Sequence, residues 1–175
     1  RAMQEAVPKG KGGMVALIGA DLAQAKIISE KASVAGICEV ANDNGGGQIV
    51  LSGEIAAIDL VVNIAAENGV KRAVKLQVSA PFHSSLIKKA GEVMADALSQ
   101  VTVNKPIVPL IANITADEVI DAEKIKELLV KQVTGMVRWN ESIINLAKKD
   151  VVHFLKDPAS IQLWSHEFFD EVTQK

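Results

Sequence analysis

The sequence predicts a mixed α/β fold built from two units. Short apolar runs rich in Val and Ile alternate with longer stretches whose apolar residues recur at helical spacing, and turn residues separate the two kinds of segment. Hydrophobic residues make up 49% of the 175 residues, whereas aromatic residues make up only 3%. We therefore expect a core of aliphatic side chains, in one domain or two small ones.

The first unit contains six segments, which follow one another as two helices among four strands. Their ranges are 14–19 (strand), 22–32 (helix), 38–41 (strand), 48–52 (strand), 54–68 (helix) and 70–78 (strand). Gly69 lies where a helix commonly ends in a left-handed residue. The order β-α-β-β-α-β is that of a ferredoxin-like domain, which we place at residues 13–79.

The second unit starts near residue 80. Its predicted segments are a helix at 86–100, a short buried strand at 107–111, helices at 122–133 and 142–148, and an apolar strand at 151–155. If these segments belong to a larger core whose first half is absent from the sequence, they lack their central sheet neighbours. We expect exposed strand edges and apolar faces in it, which favour pairing with a complementary chain or aggregation.

A histidine lies between the two units, on the turn from the last strand to the first helix. Pro81 ends the strand, and Ser84 and Ser85 are residues that commonly start helices. His83 is therefore held by regular elements on both sides and can still face a cleft, which suits a general base. A single histidine is also common as a structural residue, so its position alone leaves both roles open.

Several stretches resemble one enzyme family in the same order along the chain. QVSAPFHSSLIKKA (77–90) resembles the histidine motif of the malonyl-CoA:acyl carrier protein transacylases. Four more stretches agree: MQEAVPKGKGGMVALIG (3–19), ANDNGGGQIVLSG (41–53), PIVPLIANITAD (106–117) and LVKQVTGMVRW (129–139). The resemblance covers roughly residues 1–155 and is specific, because independent motifs occur in register.

The resemblance implies an α/β hydrolase-like acyltransferase core with a small inserted subdomain. Residues 1–12 would be a remnant of the core, 13–79 the ferredoxin-like subdomain, 80–155 the C-terminal part of the core, and 156–175 a divergent tail. The family's G-x-S-x-G nucleophile elbow does not occur in the sequence, which begins at Arg1 within a family motif. We therefore expect a C-terminal fragment that lacks the nucleophile-serine segment and is inactive by itself.

The resemblance also implies a reaction, its residues and its partners. The family moves malonyl groups from coenzyme A to acyl carrier protein in fatty-acid biosynthesis, by a Ser/His ping-pong mechanism. His83 would be the catalytic base, oriented by the backbone carbonyl of Gln132. Expected partners are acyl carrier protein and the coenzyme A thioester, and no cofactor is expected. The missing N-terminal half would be a further partner if it is a separate chain; the alternatives are that it was removed or lost.

Four further residues are candidates for substrate binding. In related acyltransferases the residue before the histidine shapes the acyl pocket, and Phe82 would there favour malonyl over methylmalonyl; a core aromatic is the alternative. Asn42 and Asn44 belong to the family's paired-asparagine loop, although Asn and Gly also simply favour a tight turn. Asn113 matches a position in the family's strand after the histidine helix. As for the loop asparagines, a contact with the ligand and a structural role are both open.

The composition argues against several other classes. A net charge of −2 disfavours nucleic acid and anionic membranes as partners, and no apolar run is long enough to span a bilayer. Cys38, the only cysteine, is expected to be buried, and a cytoplasmic location fits the lack of an internal disulfide. The histidines have no metal-ligand spacing. The alternative functions are a catalytically inactive remnant and a ferredoxin-like binding module.

Overall fold

The computed structural model describes residues 2–78 and 80–149. Within these ranges the helices are α1 (Ala2–Glu5), α2 (Leu22–Ala32), α3 (Ile55–Ile64), α4 (Lys88–Ser99), α5 (Ala122–Gln132) and α6 (Trp139–Ala147). The strands are β1 (Gly12–Ile18), β2 (Cys38–Asp43), β3 (Gln48–Glu54), β4 (Arg72–Lys75), β5 (Leu110–Ala112), β6 (Asp117–Val119) and β7 (Val137–Arg138).

Five of the strands form one sheet, in the order β4-β1-β3-β2-β7. Neighbouring strands are antiparallel except for β7, which runs parallel to β2. Because successive side chains of a strand point to opposite faces, β1 contributes to two cores. Val15 and Leu17 pack with α2 and α3 on one face, whereas Met14 and Ala16 belong to a second apolar cluster.

The predicted order of elements is confirmed for the first half of the chain. Strand, helix, strand, strand, helix and strand follow one another between residues 12 and 75. The second helix is shorter than expected, since α3 ends at Ile64 and a single 3-10 turn (Ala66–Asn68) follows. Gly69 then adopts a left-handed backbone (φ 80°), as expected for the residue that ends a helical segment.

The predicted buried strand at residues 107–111 is wrong in its bounds and in its burial. Strand β5 begins only at Leu110, and Ile107 is fully exposed. Among the described residues β5 pairs with β6 alone. This hairpin packs on α5 through Ala112 and Val119. Residues 107–109 precede the pairing, and no strand in the described part of the chain pairs with them.

The three helices predicted for the second unit are present; α5 starts at Ala122 as predicted, and the other two start at different residues. The helix predicted from residue 86 begins as a 3-10 turn, Ser85–Ile87, before α4. The helix predicted from residue 142 begins earlier, at Trp139, directly after β7. Over residues 2–78 and 80–149, no helix has both the length and the apolar character needed to cross a membrane.

Some predictions lie outside the described residues. They concern Arg1, the strand at 151–155 and the tail at 156–175.

Candidate active site

The turn that carries His83 has an unusual backbone. His83 lies in the left-handed region (φ 55°), which few residues other than glycine occupy. Two bonds fix the backbone around it: the N–H of Phe82 donates to the carbonyl of Ala80 at 3.1 Å, and the buried hydroxyl of Ser84 donates to the carbonyl of Pro81 at 2.7 Å. The histidine is thus presented by a tight, internally bonded turn.

The imidazole contacts the end of α5. Its Nδ1 lies 3.1 Å from the backbone oxygen of Gln132, the last residue of that helix. The last carbonyls of a helix have no partner within the helix, so this oxygen is available. Because a carbonyl can only accept, Nδ1 must carry the hydrogen, and the lone pair of Nε2 is left to act as a base.

Burial of the His83 ring sets its protonation. Desolvation lowers the pKa of His83 from its ordinary value, and the carbonyls of Gln132 and Gly135 partly oppose this by favouring the charged form. With a pKa below about 6.5, the imidazole is mostly neutral at pH 7. A neutral imidazole with Nδ1 protonated is ready to accept a proton at Nε2.

Phe82 joins two apolar clusters. It packs against the sheet-face cluster (Met14, Ala16, Ala41 and Val50) and also against a cluster formed by the segment after α1, α4 and the end of α5 (Val7, Ile87, Ala90 and Val133). The ring is half-buried. Phe82 therefore has the packing role considered as the alternative to a pocket role, and its part in acyl selection stays a prediction.

The two loop asparagines differ in their surroundings. Asn42 lies at an irregularity of β2, where the pairing with β3 shifts between Val40 and Asn42, and it pairs with Val137 of β7. Asn44 forms the hairpin turn instead: its Nδ2 donates to Oε1 of Gln48 at 3.0 Å, and its N–H donates to the Gln48 carbonyl at 3.1 Å. Asn44 thus makes the local turn contacts that its sequence context favours.

Asn113 lies beside the same short strand as Asn42. The N–H of Arg138, in β7, donates to the carbonyl of Asn113 at 3.1 Å. Asn42 pairs with the preceding residue, Val137. Strand β7 follows Gln132 closely in the chain, so it brings both asparagines to the segment just after the histidine's carbonyl partner.

Two contacts near His83, one at its turn and one at the end of α5, were not indicated by the sequence. Oε2 of Glu39 accepts from the N–H of Ser85 at 2.6 Å, although Glu39 lies in a distant strand. Nε2 of Gln132 donates to the carbonyl of Gly135 at 3.0 Å. A glycine after a helix is a familiar end signal, but nothing in the pattern indicated that a side chain would hold its carbonyl.

Cys38 is buried, as expected, and burial raises the pKa of its thiol to about 11. In the described part of the chain, no three His, Cys, Asp or Glu side chains come together in a way that could hold a metal ion.

These features define a mixed α/β protein with a candidate acid–base site: a histidine on a left-handed turn, bonded at Nδ1 to a main-chain carbonyl. Curated relatives give the family. The chain is 40% identical over 155 residues to the malonyl CoA-acyl carrier protein transacylase of Bacillus subtilis, a match that covers 88% of this chain and 49% of that protein. It is 35% identical over 151 residues to the enzyme of the same name from Escherichia coli K12, covering 86% of this chain and 49% of that protein.

Solved structures agree. An acyl-carrier-protein-S-malonyltransferase from Bartonella henselae matches with a TM-score of 0.84 and 50% identity, covering 86% of this chain and 48% of that one. The malonyl CoA-acyl carrier protein transacylase from Clostridium perfringens matches with a TM-score of 0.89 and 35% identity, covering 99% and 54%. No protein-family model matches the chain. The chain belongs to the malonyl-CoA:acyl carrier protein transacylase family and spans about half the length of the curated relatives it matches.

Proposed function

We propose that this chain supplies the catalytic histidine of a malonyl transfer from coenzyme A to acyl carrier protein, in fatty-acid biosynthesis. The observation that carries the proposal is the 3.1 Å contact between Nδ1 of His83 and the backbone oxygen of Gln132. It leaves Nε2 free as a base, in a family whose members are named for malonyl transfer.

In the first step, the hydroxyl of a serine outside these 175 residues attacks the thioester carbonyl of malonyl-CoA. Nε2 of His83 takes the hydroxyl proton as the C–O bond forms. The tetrahedral intermediate then expels the sulfur of coenzyme A, and the imidazolium returns the proton to that sulfur. The products are a malonyl-serine ester and free coenzyme A.

The second step reverses the roles. Nε2 of His83 removes the proton from the phosphopantetheine thiol of acyl carrier protein, and the thiolate attacks the ester carbonyl. The C–O bond to serine breaks, and the same proton goes to the serine oxygen. Because the pKa of His83 is lowered by burial, the ring is neutral at the start of each step near pH 7.

The remaining candidate residues have secondary roles in the proposal. Phe82 lies next to His83 in the chain and would limit the space beside the acyl α-carbon. Asn42 and Asn113 lie on the two sides of β7 and would line the ligand cleft through their side chains, which is supported by their backbone contacts with Val137 and Arg138. Asn44 would act on the ligand only indirectly, by holding the turn of this loop.

The architecture within the proposal is that of the family. Residues 13–79 would form a ferredoxin-like subdomain, for which the strand order β4-β1-β3-β2 is the support. Residues 1–12 and 80–155 would belong to an α/β hydrolase-like core, and 156–175 to a divergent tail. Acyl carrier protein would be the partner, since a neighbouring structure is a malonyl-transacylase in complex with a type II polyketide-synthase acyl-carrier protein (TM-score 0.87, 29% identity).

The serine-bearing half could join this chain as a separate polypeptide, and a cytoplasmic location is part of the same proposal. The second candidate function is a catalytically inactive remnant or binding module. The observation that favours it is the exposure of large apolar side chains in the second unit, among them Ile107 and Val108.

A chimera tests the proposal. The part of the Bacillus subtilis relative that precedes its match to this chain is fused in front of residue 1, and transfer of radiolabelled malonyl from malonyl-CoA to acyl carrier protein is measured. We expect transfer by the chimera and a loss of at least about a hundredfold in its His83→Ala variant. Equal transfer by both proteins would exclude His83 as the base. A folded chimera without any transfer would favour the inactive remnant.

A further inference from the structure

We infer that the side chain of Gln132 is a positioning group for His83: its amide holds the Gly135 carbonyl and thereby fixes the turn whose first carbonyl accepts from Nδ1. The inference deepens the proposed function and rests on it, because the orientation of His83 serves catalysis only if that histidine is the base. The role considered so far for Gln132 belongs to its backbone alone, for which any residue would serve.

The first support is the geometry of the segment after α5. Nε2 of Gln132 donates to the Gly135 carbonyl at 3.0 Å, and the N–H of Gly135 donates to the Lys131 carbonyl at 3.0 Å. The amide orientation follows from chemistry, since Oε1 in the place of Nε2 would set two acceptors against each other. One side-chain bond and one backbone bond therefore close the segment 132–135.

The second support is an unfavourable feature of the same side chain. Oε1 of Gln132 is buried and has no hydrogen-bond partner within the described residues. A buried acceptor without a donor lowers stability, and an apolar side chain of the same length would avoid that loss. Such a group in a folded protein calls for an explanation other than stability. One such explanation is that the Gln132 side chain keeps in place the carbonyl that accepts from Nδ1 of His83.

The third support is that both carbonyls of this segment act on the imidazole. The carbonyls of Gln132 and Gly135 each favour the charged form of His83 against the effect of burial. Nδ1 lies at hydrogen-bond distance from the Gln132 oxygen, whereas the Gly135 oxygen already accepts from the Gln132 amide. By holding the Gly135 carbonyl, the amide fixes the segment that also contains the Gln132 carbonyl, and this acceptor favours the Nδ1–H tautomer.

The test uses the whole 175-residue chain and ¹⁵N NMR of its histidine rings. The His83 signals are assigned by their loss in His83→Ala; the ring shifts then report the tautomer, and a titration gives the pKa. In Gln132→Met we expect a smaller fraction of the Nδ1–H tautomer and a pKa about 0.5 unit lower, because the carbonyl acceptors are less well placed. The matched control is Gln100→Met, at the exposed end of α4, which should leave both quantities unchanged.

An unchanged tautomer and pKa in Gln132→Met would overturn the inference, whatever the variant's stability. If that variant does not fold, hydrogen exchange of the side-chain amides in the wild-type chain decides. The Nε2 protons of Gln132 should exchange more slowly than those of Gln100. Equal rates would exclude the hydrogen bond from the Gln132 amide to the Gly135 carbonyl. Neither readout involves malonyl transfer. If the chimera is inactive but Gln132→Met changes the tautomer and pKa of His83 as expected, the proposed function is refuted and this inference is not.

Discussion

The carboxylate of Glu39 accepts a hydrogen bond from the backbone N–H of Ser85, with 2.6 Å between Oε2 and N. The two residues lie 46 positions apart: Glu39 is in β2, and Ser85 is the first residue of the 3-10 turn that follows His83 and Ser84. The first N–H groups of a helical segment need an acceptor from outside it. Glu39 supplies one from the sheet, and so ties the histidine turn to β2.

This contact predicts the effect of two substitutions at position 39. Glu39→Ala should lower the free energy of unfolding by about 1 kcal/mol, as the loss of a helix cap does, and should speed hydrogen exchange of the Ser85 amide. Glu39→Gln keeps an oxygen acceptor and should lose less. Urea unfolding and amide exchange measure the two effects. Equal Ser85 exchange in the wild type and Glu39→Ala would contradict the contact.

The lowered pKa of His83 predicts how stability depends on pH. The unfolded chain binds a proton at this residue near pH 6.5, whereas the folded chain resists protonation until a lower pH, because the ring is buried. Stability from this residue is therefore complete above about pH 7 and falls as the pH drops towards the folded-state pKa. His83→Gln should lose less free energy of unfolding than the wild type between about pH 7 and pH 5. The other histidines are common to both proteins and cancel. Parallel curves would refute the lowered pKa.

The two-cluster packing of Phe82 predicts a substantial loss of stability in Phe82→Ala. A fully buried Phe→Ala change costs about 3–5 kcal/mol, and this ring is half-buried, so we expect about 2 kcal/mol. Phe82→Leu should retain most of the packing and serves as the control. In the chimera, the same Phe82→Leu change should raise the rate with methylmalonyl-CoA relative to malonyl-CoA. An unchanged ratio would restrict Phe82 to packing.

The buried thiol of Cys38 predicts slow alkylation. With a pKa of about 11, the reactive thiolate is scarce at pH 8, and the side chain is only 5% exposed. Iodoacetamide should modify the folded chain far more slowly than the chain in urea, as followed by intact mass. Equal rates would show that the apolar core between the sheet, α2 and α3, to which Cys38 belongs, opens readily around β2.

The sequence predicted the parts of the site that depend on local chemistry. Pro81 before His83, with Ser84 and Ser85 after it, indicated a strand-to-helix turn. Gly69 indicated the end of a helical segment. The left-handed φ of His83 was beyond the pattern, because histidine adopts it only where surrounding contacts require it.

Contacts between distant segments were not predictable from the same patterns. Strand β7 has only two residues, too few for any periodicity, and it is defined by its parallel pairing with β2, which is distant in the sequence. The Glu39–Ser85 bond joins two segments whose relative position only the folded sheet determines. The error at residues 107–111 has the same origin: an apolar run predicts burial, but burial also depends on which distant segments pack against the run.

The central claim is that His83 activates a serine that lies outside this chain. The most direct measurement is peptide mapping by mass spectrometry of the chimera after incubation with malonyl-CoA alone, beside its His83→Ala variant. We predict a malonyl adduct on a serine of the fused segment, dependent on His83, and no adduct on the 175 residues themselves. A malonyl group on Ser84 or Ser85 would contradict the claim, because the nucleophile would then belong to this chain.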